Sequence, residues 1–300
     1  MYRSRVSSFN HAQLLTHGNP IGFTAITTRL NDAATGSVEA VCSGEEQTLI
    51  AQAEHSLGDR SARLNFITPE PFEDHPGLMA LLDFMCIRTG EMGAASLLAE
   101  VRESSQLLET FRRSGFNICG WETIWRFPMG FAVEHVDGTE NGWAKTSLKE
   151  EAAVHSLYST LVPPILQTVE PYQSDIDHTL VYRQGGDILA CVMSVIGPRG
   201  IYLKPVIHPS LSDPSGMLVE LVGLFGSTGK PVYLQMRSYQ AWMTTFLEDM
   251  KAESTTHFAL MSHRLAIPQY ATEEQPELVV KHRRIQATSP IVQKNSQIGQ

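Results

Sequence analysis

The sequence predicts an α/β protein that consists of two similar domains. Hydrophobic residues make up 42% of its 300 residues and charged residues 18%, so the chain has enough apolar material for sizeable cores. The same succession of strands and helices is read twice along the chain, with a polar stretch between the two passes. We therefore predict an N-terminal domain over residues 1–140, a C-terminal domain over 147–272 and a polar, disordered tail over 273–300.

The first pass opens with a predicted hairpin. TLIAQAEHS (48–56) and ARLNFITP (62–69) have the composition of strands, and the turn residues LGDR lie between them. After a proline-rich acidic loop, LMALLDFMCIR (78–88) is too long and too densely apolar for a strand, so we predict a buried helix. A strand, a helix that Ser104 or Ser105 caps and Gly115 ends, and an alternating strand complete the pass: AASLLAEV (94–101), ESSQLLETFRRSGF (103–116) and NICGWETIWRF (117–127).

The second pass follows the polar stretch HVDGTENGWAKTS (135–147), which we predict to be a linker. Residues 178–209 have the pattern of three strands, with turns at QGGD and GPRG. A helix, a strand, a helix and a strand then follow: MLVELVGLFG (217–226), KPVYLQMRS (230–238), YQAWMTTFLEDM (239–250) and HFALMSHRLAI (257–267).

Composition excludes several classes of function. The net charge of −9 argues against a nucleic-acid-binding protein, because neutralising phosphates requires clustered Lys and Arg. No apolar run approaches the roughly 18 residues of a membrane span. None of the eleven histidines has the spacing of a zinc site, so we expect no metal. The cysteines are far apart and form no Cys-x-x-Cys motif, which predicts a cytoplasmic protein: Cys42, Cys86, Cys119 and Cys191.

The segment LLETFRRSGF (107–116) carries a resemblance to a known family. A strand, a helix ending in aromatic-x-x-x-Gly-Phe and an alternating strand resemble the second half of the GNAT N-acetyltransferase fold, and the upstream elements resemble its first half. With its fainter second copy, the chain resembles a tandem GNAT protein from about residue 3 to 267. The resemblance implies a mixed, mostly antiparallel sheet flanked by helices in each domain. It also implies acyl transfer from acetyl-CoA to a small-molecule amine.

The resemblance also implies where the coenzyme binds. In the family the pantetheine arm lies between the fourth and fifth strands, which splay apart. The pyrophosphate binds the loop that opens the next helix, where free N–H groups and the helix dipole suit phosphate. The glycines of GEMGAASLL (90–98) do not fit this place, because only ten residues (94–103) would have to hold both a helix and a strand. We predict that they form a turn.

The loops at the correct place are poor phosphate sites. Gly77 in the first copy and Gly216 in the second fit a motif glycine, but Asp74 and Asp213 stand where the family has Gln or Arg. Two unit charges about 4 Å apart repel by about 1 kcal/mol in water. The second loop is the less unfavourable of the two for binding a phosphate. We predict that it holds acetyl-CoA through its hydroxyls and its glycine: Ser210, Ser212, Ser215 and Gly216.

Candidate catalytic residues are few. Phe111 and Phe246 occupy the place of the tyrosine that in this family protonates the departing thiolate, so Tyr239 is the candidate donor. Glu100 and His208 lie on or at the end of central strands and are candidate general bases. Two hypotheses remain open: an acyl-CoA-dependent N-acyltransferase, and a non-catalytic GNAT-fold protein that binds small molecules or serves in assembly.

Overall fold

The computed structural model of the protein describes residues 7–18, 35–43, 47–70, 75–127, 142–226 and 228–265. All of these residues belong to one compact unit. The predicted tail, 273–300, lies outside them, as does Asp74. Within the described ranges, no helix combines the length and the hydropathy that crossing a membrane requires.

The described residues form one large sheet. Its strands are β1 Ser7–Ser8, β2 Thr35–Ser43, β3 Thr48–Ser56, β4 Ser61–Thr68, β5 Ser96–Arg102, β6 Asn117–Phe127, β7 Gly142–Lys145, β8 Thr179–Gln184, β9 Asp187–Ile196, β10 Ile201–Ile207, β11 Val232–Arg237 and β12 Glu253–Arg264. They lie in the order β2-β3-β4-β5-β12-β6-β11-β10-β9-β8-β7, and β1 pairs with β4.

Helices cover both faces of the sheet. They are α1 His11–His17, α2 Pro76–Glu91, α3 Leu107–Arg113, α4 Glu151–Leu161, α5 Pro164–Val169, α6 Pro214–Gly226 and α7 Thr244–Asp249. Short 3₁₀ segments precede β8 and α7, at Ile176–His178 and Ser238–Met243.

The sheet confirms the duplication that the sequence predicts. From β2 to β5, successive neighbours pair antiparallel, antiparallel and parallel. From β8 to β11, the same three pairings occur in the same order. All other strand pairs in the described residues are antiparallel, so the predicted mixed, mostly antiparallel sheet is also confirmed.

The last strand of each half lies in the other half. β6 follows β5 in sequence but pairs with β11, and β12 follows β11 but pairs with β5. The two exchanged strands also pair with each other at the centre of the sheet. Hydrogen bonds of the sheet therefore cross the predicted domain boundaries, which themselves stay predictions.

The alternation of side chains along the central strands divides the core into layers. On β5, Leu97, Ala99 and Val101 face the cluster that α2 and α3 cover. Leu98 faces the opposite side, where it packs with residues of α4 and α5. Glu100 has the same parity as Leu98 and lies on that second face, which also carries the charged side chains described below.

Three sequence predictions need correction or completion. The predicted linker over 135–147 is wrong where it is described, because Gly142–Lys145 is β7, an edge strand whose Trp143 indole N–H donates to Met217 O at 2.9 Å. A polar, short edge strand resembles a linker in composition. The predicted helix over 239–250 begins as a 3₁₀ segment. Helices α1, α4 and α5 are additional elements that the predicted succession of strands and helices does not contain.

Candidate functional site

Strands β10 and β11 part in the middle of the second half. They pair in parallel from Ile201 and Val232 to Leu203 and Leu234, and the ladder ends there although both strands continue. Pro205, two residues beyond the last pair, has no N–H that could extend the ladder. A gap therefore opens between two central strands, at the place where the GNAT resemblance predicts splayed strands.

The equivalent gap in the first half is filled by the chain itself. β4 and β5 also pair over three residues, up to Arg63 and Leu98. Beyond them, Phe9 bridges the strands: its N–H donates to Asn65 O, and Glu100 N–H donates to Phe9 O, each at 3.0 Å. The Phe9 side chain is 4% exposed and packs on Phe111, with ring centroids 5.1 Å apart. The N-terminal segment thus occupies this gap with both backbone and side chain.

A cavity of about 280 Å³ lies beside the open gap of the second half. Its walls come from β10 and β11, from β4 and β5 of the first half, and from the helices α4 and α5. Both halves of the duplicated chain therefore build this one cavity.

A half-buried carboxylate, Glu170, joins the two halves on the cavity wall. It forms an ion pair with Arg63 of β4, and Arg237 Nη2 of β11 donates to its Oε2 at 2.6 Å. Burial alone would raise the pKa of Glu170, but Arg237 and Arg63 together hold that pKa well below its usual range. Glu170 is therefore ionised at neutral pH and is shared by two guanidinium groups.

A second carboxylate, Glu122, is fully buried, and its pKa shifts in the opposite direction. Gln235 Nε2 donates to its Oε2 at 2.6 Å, and Arg237 Nη1 lies 3.1 Å from the same oxygen. The other oxygen, Oε1, has no hydrogen-bond partner in the described part of the chain. Burial raises the pKa of Glu122 to about 7 despite the charge of Arg237. Glu122 consequently titrates near neutral pH.

Glu100, a predicted general base, is buried beneath the contacts of Glu170 and Glu122 and does not line the cavity. The backbone N–H of His11 donates to Glu100 Oε2 at 2.7 Å, and His11 Nδ1 lies 2.6 Å from the same oxygen. Burial opposes ionisation, but His11 and Arg63 lower the pKa of Glu100 to about 2. A carboxylate so stabilised is a poor proton acceptor at neutral pH, so its surroundings suit a positioning role.

His11, Glu100 and Glu122 also form the composition of a metal site. Each offers one potential ligand atom, and these atoms lie within 4.8 Å of one another. The bonds from His11 already serve Glu100, and Arg63 and Arg237 adjoin the two carboxylates. Cationic neighbours at these distances favour protons and hydrogen bonds over a further cation in this place.

The other candidate catalytic residues lie apart from one another. Tyr239 lines the cavity, and burial raises the pKa of its phenol, which therefore keeps its proton. His208 directly follows β10 and does not line the cavity; its Nδ1 lies 2.6 Å from Ser210 Oγ. The structure thus brings only Tyr239 of the three to the cavity.

The predicted coenzyme-binding residues of the second half gather at the start of α6. Gly216 N–H donates to Asp213 Oδ1 at 2.8 Å, so a carboxylate already occupies a donor that a phosphate would use. Ser212 is hydrogen-bonded to Gln184, and Ser215 lies in the first turn of the helix. The loop that the sequence suggests for the coenzyme therefore carries its own carboxylate at this N–H, does not line the cavity, and stays a predicted binding site.

Gly77, the counterpart in the first half, is not available to a ligand. Its N–H donates to His75 Nδ1 at 3.1 Å, and a Cβ atom built on it would lie 2.6 Å from Cys42 Sγ. Phe9 occupies the adjoining gap, so the place where the resemblance puts a pantetheine arm is taken by the chain itself among the described residues.

Sequence reasoning missed most of the charged cavity wall. Arg63 and Lys204 interrupt otherwise apolar strands, ARLNFIT and IYLKPVI, and this interruption was a readable signal. Glu170 follows a helix that had not been assigned, and nothing local distinguishes it from a surface residue. Arg237 and Tyr158 became visible only with the tertiary structure.

No protein-family model matches the chain, and none of the curated proteins does. Solved structures do resemble it. A GCN5-related N-acetyltransferase from Sphaerobacter thermophilus superposes with a TM-score of 0.54 at 13% identity, over 84% of this chain and 89% of the other. A tandem GNAT protein from the clavulanic acid biosynthesis pathway gives 0.48 at 14% identity, over 79% and 85%. A GCN5-related N-acetyltransferase from Kribbella flavida gives 0.47 at 12%, over 75% and 89%. The chain has the GNAT fold.

Proposed function

We propose that this protein is an acyl-CoA-dependent N-acyltransferase whose second half holds the acyl donor. One observation carries the proposal: β10 and β11 part at Leu203 and Leu234 beside a cavity, whereas Phe9 fills the equivalent gap of the first half. The open gap suits the pantetheine arm of acetyl-CoA, and the cavity suits the acyl group and a small amine.

Acyl transfer at this place requires little acid or base chemistry. A neutral amine attacks the thioester carbonyl, the C–N bond forms and the C–S bond breaks. Holding the two reactants together supplies much of the rate enhancement. The departing thiolate needs a proton, and Tyr239 is the suitable donor. The other tyrosine that lines the cavity, Tyr158, already donates to the backbone oxygen of Glu170. The attacking amine releases one proton to solvent, and the tyrosinate takes one proton back from solvent, so the phenol is restored and the protons balance.

The diphosphate end of the coenzyme fits less well. Asp213 caps α6 at the point where pyrophosphate would bind, so we expect acetyl-CoA to bind weakly. This feature favours the second candidate function, a non-catalytic GNAT-fold protein that binds a small molecule. The cysteines are free thiols, which supports a cytoplasmic location for either function.

Substituting Tyr239→Phe tests the enzymatic proposal. Release of CoA thiol from acetyl-CoA is measured with a panel of small primary amines, and acetyl-CoA binding is measured separately by calorimetry. We expect Tyr239→Phe to bind acetyl-CoA normally and to release thiol about a hundredfold more slowly. Tyr172→Phe is the matched control, because Tyr172 does not line this cavity. Absence of acetyl-CoA binding at millimolar concentration, or equal rates in all three proteins, would contradict the proposal.

A further inference from the structure

The acidic residues that line the cavity all have partners. Glu170 is shared by Arg63 and Arg237. Nearer the rim, Gln173 Nε2 donates to Asp59 Oδ1 at 2.7 Å, and Asp175 Oδ1 lies 3.0 Å from His178 Nδ1. Of these three carboxylates, Glu170 on the inner wall is the one that guanidinium groups of the chain neutralise, whereas Asp59 and Asp175 lie nearer the rim.

Two cations of the same lining are uncommitted. Lys204 and Arg60 make no hydrogen bond or ion pair through their side chains with any residue that the structure describes. Arg60 is exposed at the rim, and Lys204 is half-buried on β10. Burial and then the charge of Arg63 lower the pKa of Lys204, and the more distant carboxylates of Glu170 and Glu100 offset this only in part. The cavity therefore contains a positively charged group that is available to bind an anionic ligand.

Lys204 is also well placed relative to the open gap. It is the first residue of β10 beyond Leu203, the last residue that pairs with β11. An anionic group held by Lys204 therefore lies directly beside the place where the two strands part. Arg63 and Arg237 each donate one N–H to Glu170, and their other terminal nitrogens lie beside Glu100 and Glu122, so Lys204 is the cation at this gap that has no carboxylate within 4 Å among the described residues.

We propose that Lys204 is the anchor for a carboxylate, and that the cavity takes a small α-amino carboxylate. A single ammonium matches one carboxylate, and a cavity of about 280 Å³ admits only a small molecule. In such a ligand one carbon separates the amine from the carboxyl carbon, so anchoring the carboxylate brings the amine to the gap. That the ligand is the acyl acceptor rests on the proposed function; the carboxylate site itself does not.

The test compares an anionic probe with a neutral probe that differs from it in one group. N-acetylglycine carries a carboxylate, and N-acetylglycinamide replaces it with a neutral amide. Their binding to the full chain is measured by ligand-observed NMR titration, for the wild type, Lys204→Gln and Lys149→Gln. Lys149 is an exposed lysine ahead of α4, so this variant loses the same charge away from the cavity.

We expect the wild type to bind N-acetylglycine about tenfold more tightly than the amide, since an ionic hydrogen bond is lost with the carboxylate. Lys204→Gln should lose this preference at an unchanged thermal midpoint, and Lys149→Gln should keep it. Equal binding of the two probes to the wild type, no binding of either at 10 mM (about the upper limit for a weak site), or a preference that survives Lys204→Gln would overturn the proposal. Acetyl-CoA calorimetry on the same samples separates the outcomes: a carboxylate preference without acetyl-CoA binding keeps this site and refutes the proposed transfer reaction.

Discussion

Removing the charge of Asp213 tests whether the anion at the start of α6 weakens coenzyme binding. Asp213→Asn keeps a side-chain oxygen that can accept the Gly216 N–H, and Asn and Asp cap helices about equally well. Only the charge changes. Because Asp213 Oδ1 lies 2.8 Å from Gly216 N, a phosphate oxygen that approaches this donor comes within about 4 Å of the carboxylate.

The magnitude follows from that distance. Asp213 is exposed, so the repulsion per unit charge is close to the aqueous value of about 1 kcal/mol, which corresponds to roughly a fivefold change in affinity. We therefore expect Asp213→Asn to bind acetyl-CoA about five- to tenfold more tightly than the wild type at low salt. Raising the salt concentration should shrink the difference, because salt screens exposed charges.

Isothermal titration with acetyl-CoA measures the effect, and Asp187→Asn is the control. Asp187 is an exposed acid, the first residue of β9, and its side chain has no hydrogen bond or ion pair with the α6 loop among the described residues. An unchanged or weaker affinity in Asp213→Asn, or an equal gain in Asp187→Asn, would show that the carboxylate does not compete with the diphosphate.

Three further predictions concern stability, each measured by urea unfolding. Phe9→Ala should cost about 3–5 kcal/mol, because a fully packed aromatic side chain leaves the first gap, whereas Phe84→Ala on the exposed face of α2 should cost under about 1 kcal/mol. Glu170→Gln should cost about 3 kcal/mol, because two guanidinium groups lose the carboxylate that they share. The wild type should lose stability as pH rises from 4.5 to about 7, and Glu122→Gln should not, because in this range the unfolded chain has released the Glu122 proton and the folded chain still holds it.

Each of these has a clear contrary result. Equal losses in Phe9→Ala and Phe84→Ala would mean that the N-terminal segment does not hold the gap. A stable Glu170→Gln protein would mean that the guanidinium groups find other partners. A pH profile of Glu122→Gln that parallels the wild type would place the titrating group elsewhere.

Local patterns predicted the repeated elements but not how the halves combine. Period-2 and apolar runs identified most strands, and Gly93 and Gly115 have the positive φ values that the predicted turn and helix end require. Helix α4 was readable too, because Val154, Leu157 and Tyr158 follow the i, i+3, i+4 pattern. The exchange of β6 and β12 was not readable, since a buried central strand has the same composition whichever neighbours it pairs with.

The charged wall of the cavity illustrates the same limit. Arg63 and Glu170 are 107 residues apart in sequence, and Glu170 and Arg237 are 67 apart. A local reading assigns each of them to solvent, because charged residues are usually exposed. Only the fold shows that they share one partly buried network, so the wall of the cavity could not be predicted from the sequence. The loop at Ser210 and Gly216, which the sequence did suggest, does not line the cavity.

The strand exchange explains why one cavity depends on both halves. β11, which borders the open gap, is held on its other side by β6 from the first half, and Arg63 of the first half reaches the same wall as Arg237 of the second. One sheet can therefore contain a first gap that Phe9 fills and a second gap that stays open. The duplicated unit supplies two equivalent gaps; the first is used to anchor the N-terminal segment, which also positions His11 against Glu100 beneath the cavity. We therefore expect a substitution of Phe9 to perturb the charged wall of the second gap, because the bonds from His11 to Glu100 and from Arg63 to Glu170 connect the two places.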